Sequence, residues 1–145
     1  MNCELLICPF RPSSAMMNPV MYEEFTAKDC WTGDPVHCIY QAVVVAVATR
    51  HADAVDIKFL ANGKNVWICL PCPVWVEYQR LTGHTISDRL AVETAGRFLK
   101  KSIEQGYDTG REMYPVSPDE TMHHVIEVLK EHGAPDELIP KLTAA

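Results

Sequence analysis

Residues 55–70 carry the feature that most limits how this chain can fold: two segments of alternating apolar residues joined by Asn62-Gly63. Asn-Gly is typical of a type I′ hairpin turn, because both central residues of that turn have positive φ. A two-residue loop then sets the register, and three cross-strand pairs on one face are apolar: Val55 with Leu70, Ile57 with Ile68, and Phe59 with Val66. A shift by one residue would destroy this division. The sequence therefore predicts a β-hairpin with one buried face.

The opposite face of the predicted hairpin is mixed. Its pairs are Asp56 with Cys69, Lys58 with Trp67, and Leu60 with Asn65. Lysine and an indole at paired positions can form a cation–π contact. We still expect the indole to be covered by a neighbouring helix, the N-terminal arm or a second subunit. We expect Lys58, Trp67 and Cys69 to stay partly open. Because aromatic residues are enriched at interface cores, Trp67 and Lys58 are candidate interface residues. Trp75 in the next element is a third candidate, for which core packing is an equally good interpretation.

Helical patterns flank the hairpin. Asp34-Pro35 supplies the N-cap and N1 residues of a helix start, and the apolar residues after it recur at helical spacing, which predicts a helix over 35–50. Four valines make a strand over 42–48 the competing interpretation. Caps and apolar stripes predict further helices over 73–81, 86–105, 118–132 and 135–143.

These patterns predict an α+β fold, in which a small antiparallel sheet built on the 55–70 hairpin has helices packed on one face. Residues 111–116 are extended and add a candidate edge strand, where Pro115 is tolerated. Residues 1–34 show no clear pattern and are predicted to form an irregular N-terminal arm. A chain of 145 residues has the size of one domain, so residues 35–145 are predicted to form a single domain.

Charge and hydropathy argue against nucleic acid and membrane partners. The formal net charge is −6, and we interpret the basic cluster Arg97, Lys100 and Lys101 as a solvent-exposed helix face with ion pairs to neighbouring glutamates. The longest apolar run, residues 42–48, is far shorter than the ~20 residues of a membrane-spanning helix. No signal-peptide pattern opens the sequence. We therefore expect a cytoplasmic protein.

Cys69 and Cys72 form a Cys-x-x-Cys motif between a predicted strand and a predicted helix. A helix N-terminus lowers the pKa of a nearby thiol, so a thiol-redox function is one hypothesis. Metal binding is another, although no second pair of ligands follows at a compact zinc spacing. The order of elements around the motif does not match a thioredoxin fold. The favoured interpretation is two reduced, partly buried cysteines at a strand end.

Tyr107, Asp108, Arg111 and Tyr114 belong to a polar and aromatic loop between two predicted helices. Loops held by rigid elements often carry binding sites, and an arginine can bind a carboxylate or phosphate through two parallel hydrogen bonds. These residues are therefore candidates for a small anionic ligand. The favoured interpretation is that Arg111 pairs with a neighbouring carboxylate and stabilises the turn.

The helix predicted over 118–132 places Asp119, His123 and Glu127 on one face, with His124 beside them. We interpret this group as a protonated histidine between carboxylates on a solvent-exposed face.

The sequence contains no glycine-rich phosphate loop, no serine nucleophile elbow and no His-Glu-x-x-His motif. No catalytic residue, cofactor or metal is therefore predicted, and an enzymatic role is left open but disfavoured. The sequence favours a non-enzymatic protein-interaction or regulatory module. We expect a homo-oligomer, with a dimer favoured, or a complex with another protein.

Overall fold

The computed structural model describes residues 22–46, 54–106 and 112–141. Within these residues, five strands form one sheet, in which neighbours are antiparallel except for the parallel pair β4–β5. In sheet order the strands are β1 (Glu24–Lys28), β2 (Pro35–Ala46), β3 (Ala54–Ala61), β4 (Lys64–Pro71) and β5 (Met113–Pro115). Helices α1 (Pro73–Thr82) and α2 (Asp88–Gln105) lie between β4 and β5 in the sequence, and α3 (Pro118–Glu131) and a 3-10 turn (Asp136–Leu138) follow β5. The predicted α+β class is confirmed.

The hairpin β3–β4 has the predicted register in every pair. Asn62 has φ 50° and Gly63 has φ 83°, as a type I′ turn requires. The predicted inner face is buried, and Ile57, Phe59 and Ile68 have no exposed surface. The alternation of apolar residues therefore placed this face correctly.

The buried face of the sheet packs against α2 and α3. Ser87 begins α2 by accepting a hydrogen bond from the Leu90 N–H (3.1 Å), and Ser117 begins α3 by accepting one from the Glu120 N–H (3.1 Å). Core residues of the two helices include Ala91, Ala95, Phe98, Leu99, Ile103, Met122, Val125 and Leu129. The predictions for α1, α2 and α3 are confirmed to within two residues at each end.

The prediction of a helix over 35–50 is wrong, because residues 35–46 form β2. The register of β2 on β3 shifts between Tyr40 and Ala42, so Gln41 is the extra residue of a β-bulge. The bulge places Tyr40 opposite Phe59 and Val43 opposite Ile57, three positions apart on one face. A spacing of three mimics a helical stripe, which explains the error. The competing strand interpretation holds for residues 42–46, and residues 47–53 lie outside the described residues.

The two ends of the described chain also differ from the predictions. Residues 24–28, within the predicted irregular arm, form the edge strand β1, whereas residues 1–21 lie outside the described residues. The helix predicted over 135–143 is wrong: a single 3-10 turn ends at Leu138, and Ile139 is extended because Pro140 follows it. The edge strand predicted within 111–116 is confirmed as β5.

Candidate functional site

The face of the sheet opposite the core, here called the open face, is built by the residues that alternate with the buried ones. Strand pairing arranges most of its side chains in three rows that cross the strands. The rows are Glu24-Ile39-Leu60-Asn65, Ala42-Lys58-Trp67-Met113 and Val44-Asp56-Cys69-Pro115. All of these residues are half-buried or exposed, and most are apolar. The described helices pack on the other side, so a largely apolar surface stays accessible among the described residues.

Trp67 occupies the middle row of the open face. Met113 lies beside it on β5 and is 52% exposed, and Lys58 lies on its other side on β3. The ammonium Nζ of Lys58 is 5.9 Å from the centroid of the indole ring, which confirms the predicted cation–π contact. The backbone N–H of Trp67 also donates a hydrogen bond to the Glu112 carbonyl (2.6 Å). Sheet pairing on both sides therefore fixes the backbone of Trp67, and the Lys58 ammonium lies against its indole.

The candidate thiols lie at the end of β4. Cys69 is on the open face opposite Asp56, and burial together with a hydrogen bond to Asp56 raises the pKa of its thiol to about 12. Cys72 is the N-cap residue of α1. A raised pKa keeps Cys69 protonated near neutral pH, which weighs against a reactive thiolate at this position. Within the described residues, no group of three His, Cys, Asp or Glu side chains could hold a metal ion.

The other candidates fall in different places. Tyr107, Asp108 and Arg111 lie outside the described residues, so the anionic-ligand site stays a prediction. Tyr114 is buried, and its ring packs edge-on against Phe98 with 6.1 Å between centroids. Trp75 is half-buried against the core.

A cleft of about 450 Å³ lies beside Tyr114, between the hairpin turn and the C-terminal half of α2. Leu99, Ile103 and Val66 contribute apolar lining to it. Its described charged residues are Asp29, Lys64 and Glu112. Two carboxylates and one ammonium do not favour an anion, so the described lining adds no support to the ligand hypothesis.

Sequence reasoning missed a cluster of buried and half-buried polar side chains between α2, α3 and the start of β1. We call this cluster the polar junction; it consists of Tyr22, Glu93, Arg97, His124, Glu131 and His132. Glu93 is 2% exposed and accepts hydrogen bonds from the Tyr22 N–H (3.0 Å) and from Nε2 of His132 (2.8 Å). Glu131 accepts from the Tyr22 hydroxyl (2.9 Å) and from Nε of Arg97 (3.3 Å). The polar junction therefore ties the chain before β1 to both long helices.

A hydrogen bond within the polar junction determines the protonation state of His124. Nη1 of Arg97 is 2.7 Å from Nδ1 of His124, and because a guanidinium only donates, Nδ1 accepts. The ring is therefore neutral. Burial is the main cause that lowers the pKa of His124 to about 4, and the positive charge of Arg97 adds to it. The histidine predicted to lie between carboxylates, His123, is exposed, whereas His124 beside it is buried and does not belong to that solvent-exposed face.

The prediction of a solvent-exposed ion-paired face is likewise wrong for Arg97, whose side chain is 15% exposed, because α2 is covered by the sheet on one side and by α3 on another. Gly96 was the residue in the sequence that could have indicated that another segment packs closely against this part of α2. A Cβ atom there would collide with the backbone of Tyr22, and a glycine inside a long helix indicates such a close approach. The adjoining cavity, beside His124 and Ser102, is about 70 Å³ and too small for an organic ligand. We therefore assign the polar junction a structural role.

Comparisons of this chain with protein-family models, with curated proteins and with solved structures find no match. Within residues 22–46, 54–106 and 112–141, no helix has the length and apolarity that crossing a bilayer requires.

Proposed function

We propose that this chain is a non-enzymatic protein-interaction module that binds a protein partner, either a second copy of itself or another chain, through the open face of its sheet. The observation that carries the proposal is the middle row of that face, where Trp67 lies between Lys58 and the exposed Met113. Tryptophan and methionine are enriched in the buried centres of protein interfaces.

The composition of the open face fits a protein better than other partners. Ile39, Leu60 and Val44 extend the apolar surface on both sides of the Trp67 row, and Val44 is 44% exposed. A contiguous exposed apolar surface on a folded domain commonly marks an interaction site. Its described charges are Lys58, Lys28, Asp56 and Glu24, two of each sign, so they do not form the basic surface that nucleic acid binding needs.

The placement of Trp67 supports binding rather than simple packing. Pairing on both sides of β4 fixes its backbone, and the Lys58 ammonium lies against its ring. A partner that covers the indole therefore loses little side-chain entropy on binding, and preorganised aromatic residues are typical binding hot spots.

The test is site-specific photo-crosslinking in cells that express the full chain. A photoreactive phenylalanine derivative replaces Trp67, where it keeps an aromatic ring, or Met113 on the open face. Val76 on α1 serves as the control because it is 71% exposed and lies in a helix. We expect one discrete adduct from positions 67 and 113. Its mass should equal either two copies of the chain or the chain plus one partner.

A second variant separates binding from folding. Trp67→Ser should abolish the adduct from position 113 while circular dichroism shows an unchanged fold, because the side chain is only half-buried. Equal adducts from positions 76 and 67, or no adduct from the open face, would refute the proposal.

A further inference from the structure

The two outer strands of the sheet differ in their ability to accept another strand. β5 has three residues and ends in Pro115, which has no N–H to donate. β1 has five residues, Glu24–Lys28, and contains no proline. None of the described strands pairs with the outer edge of β1. β1 is therefore the edge at which the sheet can be extended.

The hydrogen-bond pattern of β1 shows which backbone groups face outwards. The Tyr40 N–H donates to the Glu23 carbonyl (2.7 Å), so these two residues form a hydrogen-bonded pair. Hydrogen-bonded and non-hydrogen-bonded pairs alternate in an antiparallel ladder. The backbone groups of Phe25 and Ala27 consequently point to β2, and those of Glu24, Thr26 and Lys28 point away from the sheet.

The sequence of β1 is complementary to itself in the antiparallel direction. If Thr26 lies opposite Thr26 of a second copy, Glu24 lies opposite Lys28 and Phe25 lies opposite Ala27. Each opposed charge pair combines a carboxylate with an ammonium, and each core pair combines a large with a small side chain. Glu24, Thr26 and Lys28 are exposed in the described structure, whereas Phe25 and Ala27 are buried under the helices.

We infer that two copies of this chain associate through β1, in an antiparallel pair centred on Thr26, to give one continuous ten-stranded sheet. The outward-facing residues are the three that form hydrogen-bonded pairs in this register, so roughly six backbone hydrogen bonds form across the two-fold axis. Opposite charges at directly paired positions stabilise the pair, and like charges oppose it. A two-fold interface of this kind is the commonest form of homo-oligomer.

The inference names the second copy as a partner but does not depend on the open face being a binding surface. In the paired sheet, both open faces lie on the same side. The two Trp67 residues are then seven strand positions apart, about 34 Å at the usual strand spacing. A partner that is itself two-fold symmetric could contact both Trp67 side chains at once.

The test is sedimentation of the full chain and of charge-reversal variants over a wide concentration range. Wild type should dimerise. Lys28→Glu places two carboxylates at each opposed charge pair, and Glu24→Lys places two ammonium groups there, so each variant should weaken the dimer at least about tenfold. The double variant and an equimolar mixture of the two single variants both restore opposite charges, and both should restore the dimer.

Two controls keep the result interpretable. Glu24 also contacts Nε2 of His37 (2.8 Å), so Lys28→Glu is the cleaner single variant, and circular dichroism confirms that each variant is folded. Thr26→Cys should give an intermolecular disulfide, because directly opposed residues of a hydrogen-bonded pair have a Cα separation that suits one. His37→Cys, exposed on the neighbouring strand, should not.

A monomer at every concentration would overturn the inference, and so would a dimer that neither charge reversal weakens or that the double variant fails to restore. If Trp67→Ser alone dissociates the dimer, the open face is the contact between copies, and the edge inference falls while the proposed function stands. If charge reversal weakens the dimer but position 67 gives no adduct, the edge inference stands and the proposed function falls.

Discussion

The inner face of the hairpin and the polar junction are both buried, but they are built from opposite chemistry. Ile57, Phe59 and Ile68 exclude water by apolar contact and need no particular partner atom. Glu93 and His124 are equally buried but depend on specific donors and acceptors from α2, α3 and the chain before β1. Apolar burial follows from a pattern within one segment, whereas polar burial depends on elements that lie far apart in the sequence.

We also expect mutations to destabilise the two regions in different ways. An apolar core loses free energy in proportion to the volume removed. A buried hydrogen-bonded charge leaves an unsatisfied partner when it is removed, and its protonation couples stability to pH. Four predictions test this contrast.

The largest effect is expected from Phe59→Ala in the hairpin. The side chain is fully buried and contacts the rings of Phe25 and Tyr40, so its removal should destabilise the fold by about 4 kcal/mol. Urea unfolding measures the change. Leu60→Ala, on the half-buried open face one residue away, is the matched control and should cost about 1 kcal/mol or less. Equal losses from the two variants would mean that the faces are not divided as described.

Glu93→Ala should cost about 3 kcal/mol, because it leaves the Tyr22 N–H and the His132 ring without their acceptor. Glu104→Ala on the same helix removes an exposed ion pair with Lys100 (3.1 Å) and should cost less than about 1 kcal/mol. Equilibrium unfolding of both variants gives the comparison. If Glu93→Ala is as mild as the control, the polar junction does not contribute to stability.

The lowered pKa of His124 predicts how the free energy of unfolding depends on pH. Its pKa is about 4 in the folded chain and near 6.5 when unfolded, so its contribution is complete above pH 6.5 and is lost as the pH falls towards 4. Between pH 7 and pH 4.5 this group should cost the fold about 2 kcal/mol. Unfolding free energies measured at several pH values should fall less steeply for His124→Gln than for wild type. Parallel curves would show that the ring is not buried in its neutral form.

The smallest effect is expected from Ser102→Ala, and its sign is opposite. The Ser102 hydroxyl is buried and has no hydrogen-bond partner among the described residues. Alanine removes this unsatisfied group and is the better helix former, so the fold should gain about 0.5 kcal/mol. Thermal unfolding detects the gain. A loss of stability would reveal a hydroxyl partner that the described residues do not include.

The sequence predicted the parts of the fold that local rules determine. Asn62-Gly63 and the apolar alternation gave the hairpin register, and the capping patterns gave the starts of the three helices to within two residues. It failed at β2, because the bulge at Gln41 replaced a spacing of two with one of three.

The site was predicted only in part, for a related reason. Trp67 and Lys58 were placed on the right face by the register alone. Met113 was missed because β5 pairs with β4 only after two intervening helices. The polar junction was missed because burial of Glu93 depends on α3, which no pattern within α2 can reveal.

The parallel pair β4–β5 has a consequence for how the chain assembles. Strands β1 to β4 join neighbours in sequence, so their ladders can close early and locally. β5 can join only when residues 72–112 have already returned to the sheet edge, which makes it a late step with a larger loop-closure cost. Met113 arrives on that strand, so the surface around Trp67 is completed last. An emerging or partly unfolded chain would therefore expose Trp67 before Met113 reaches its place beside it.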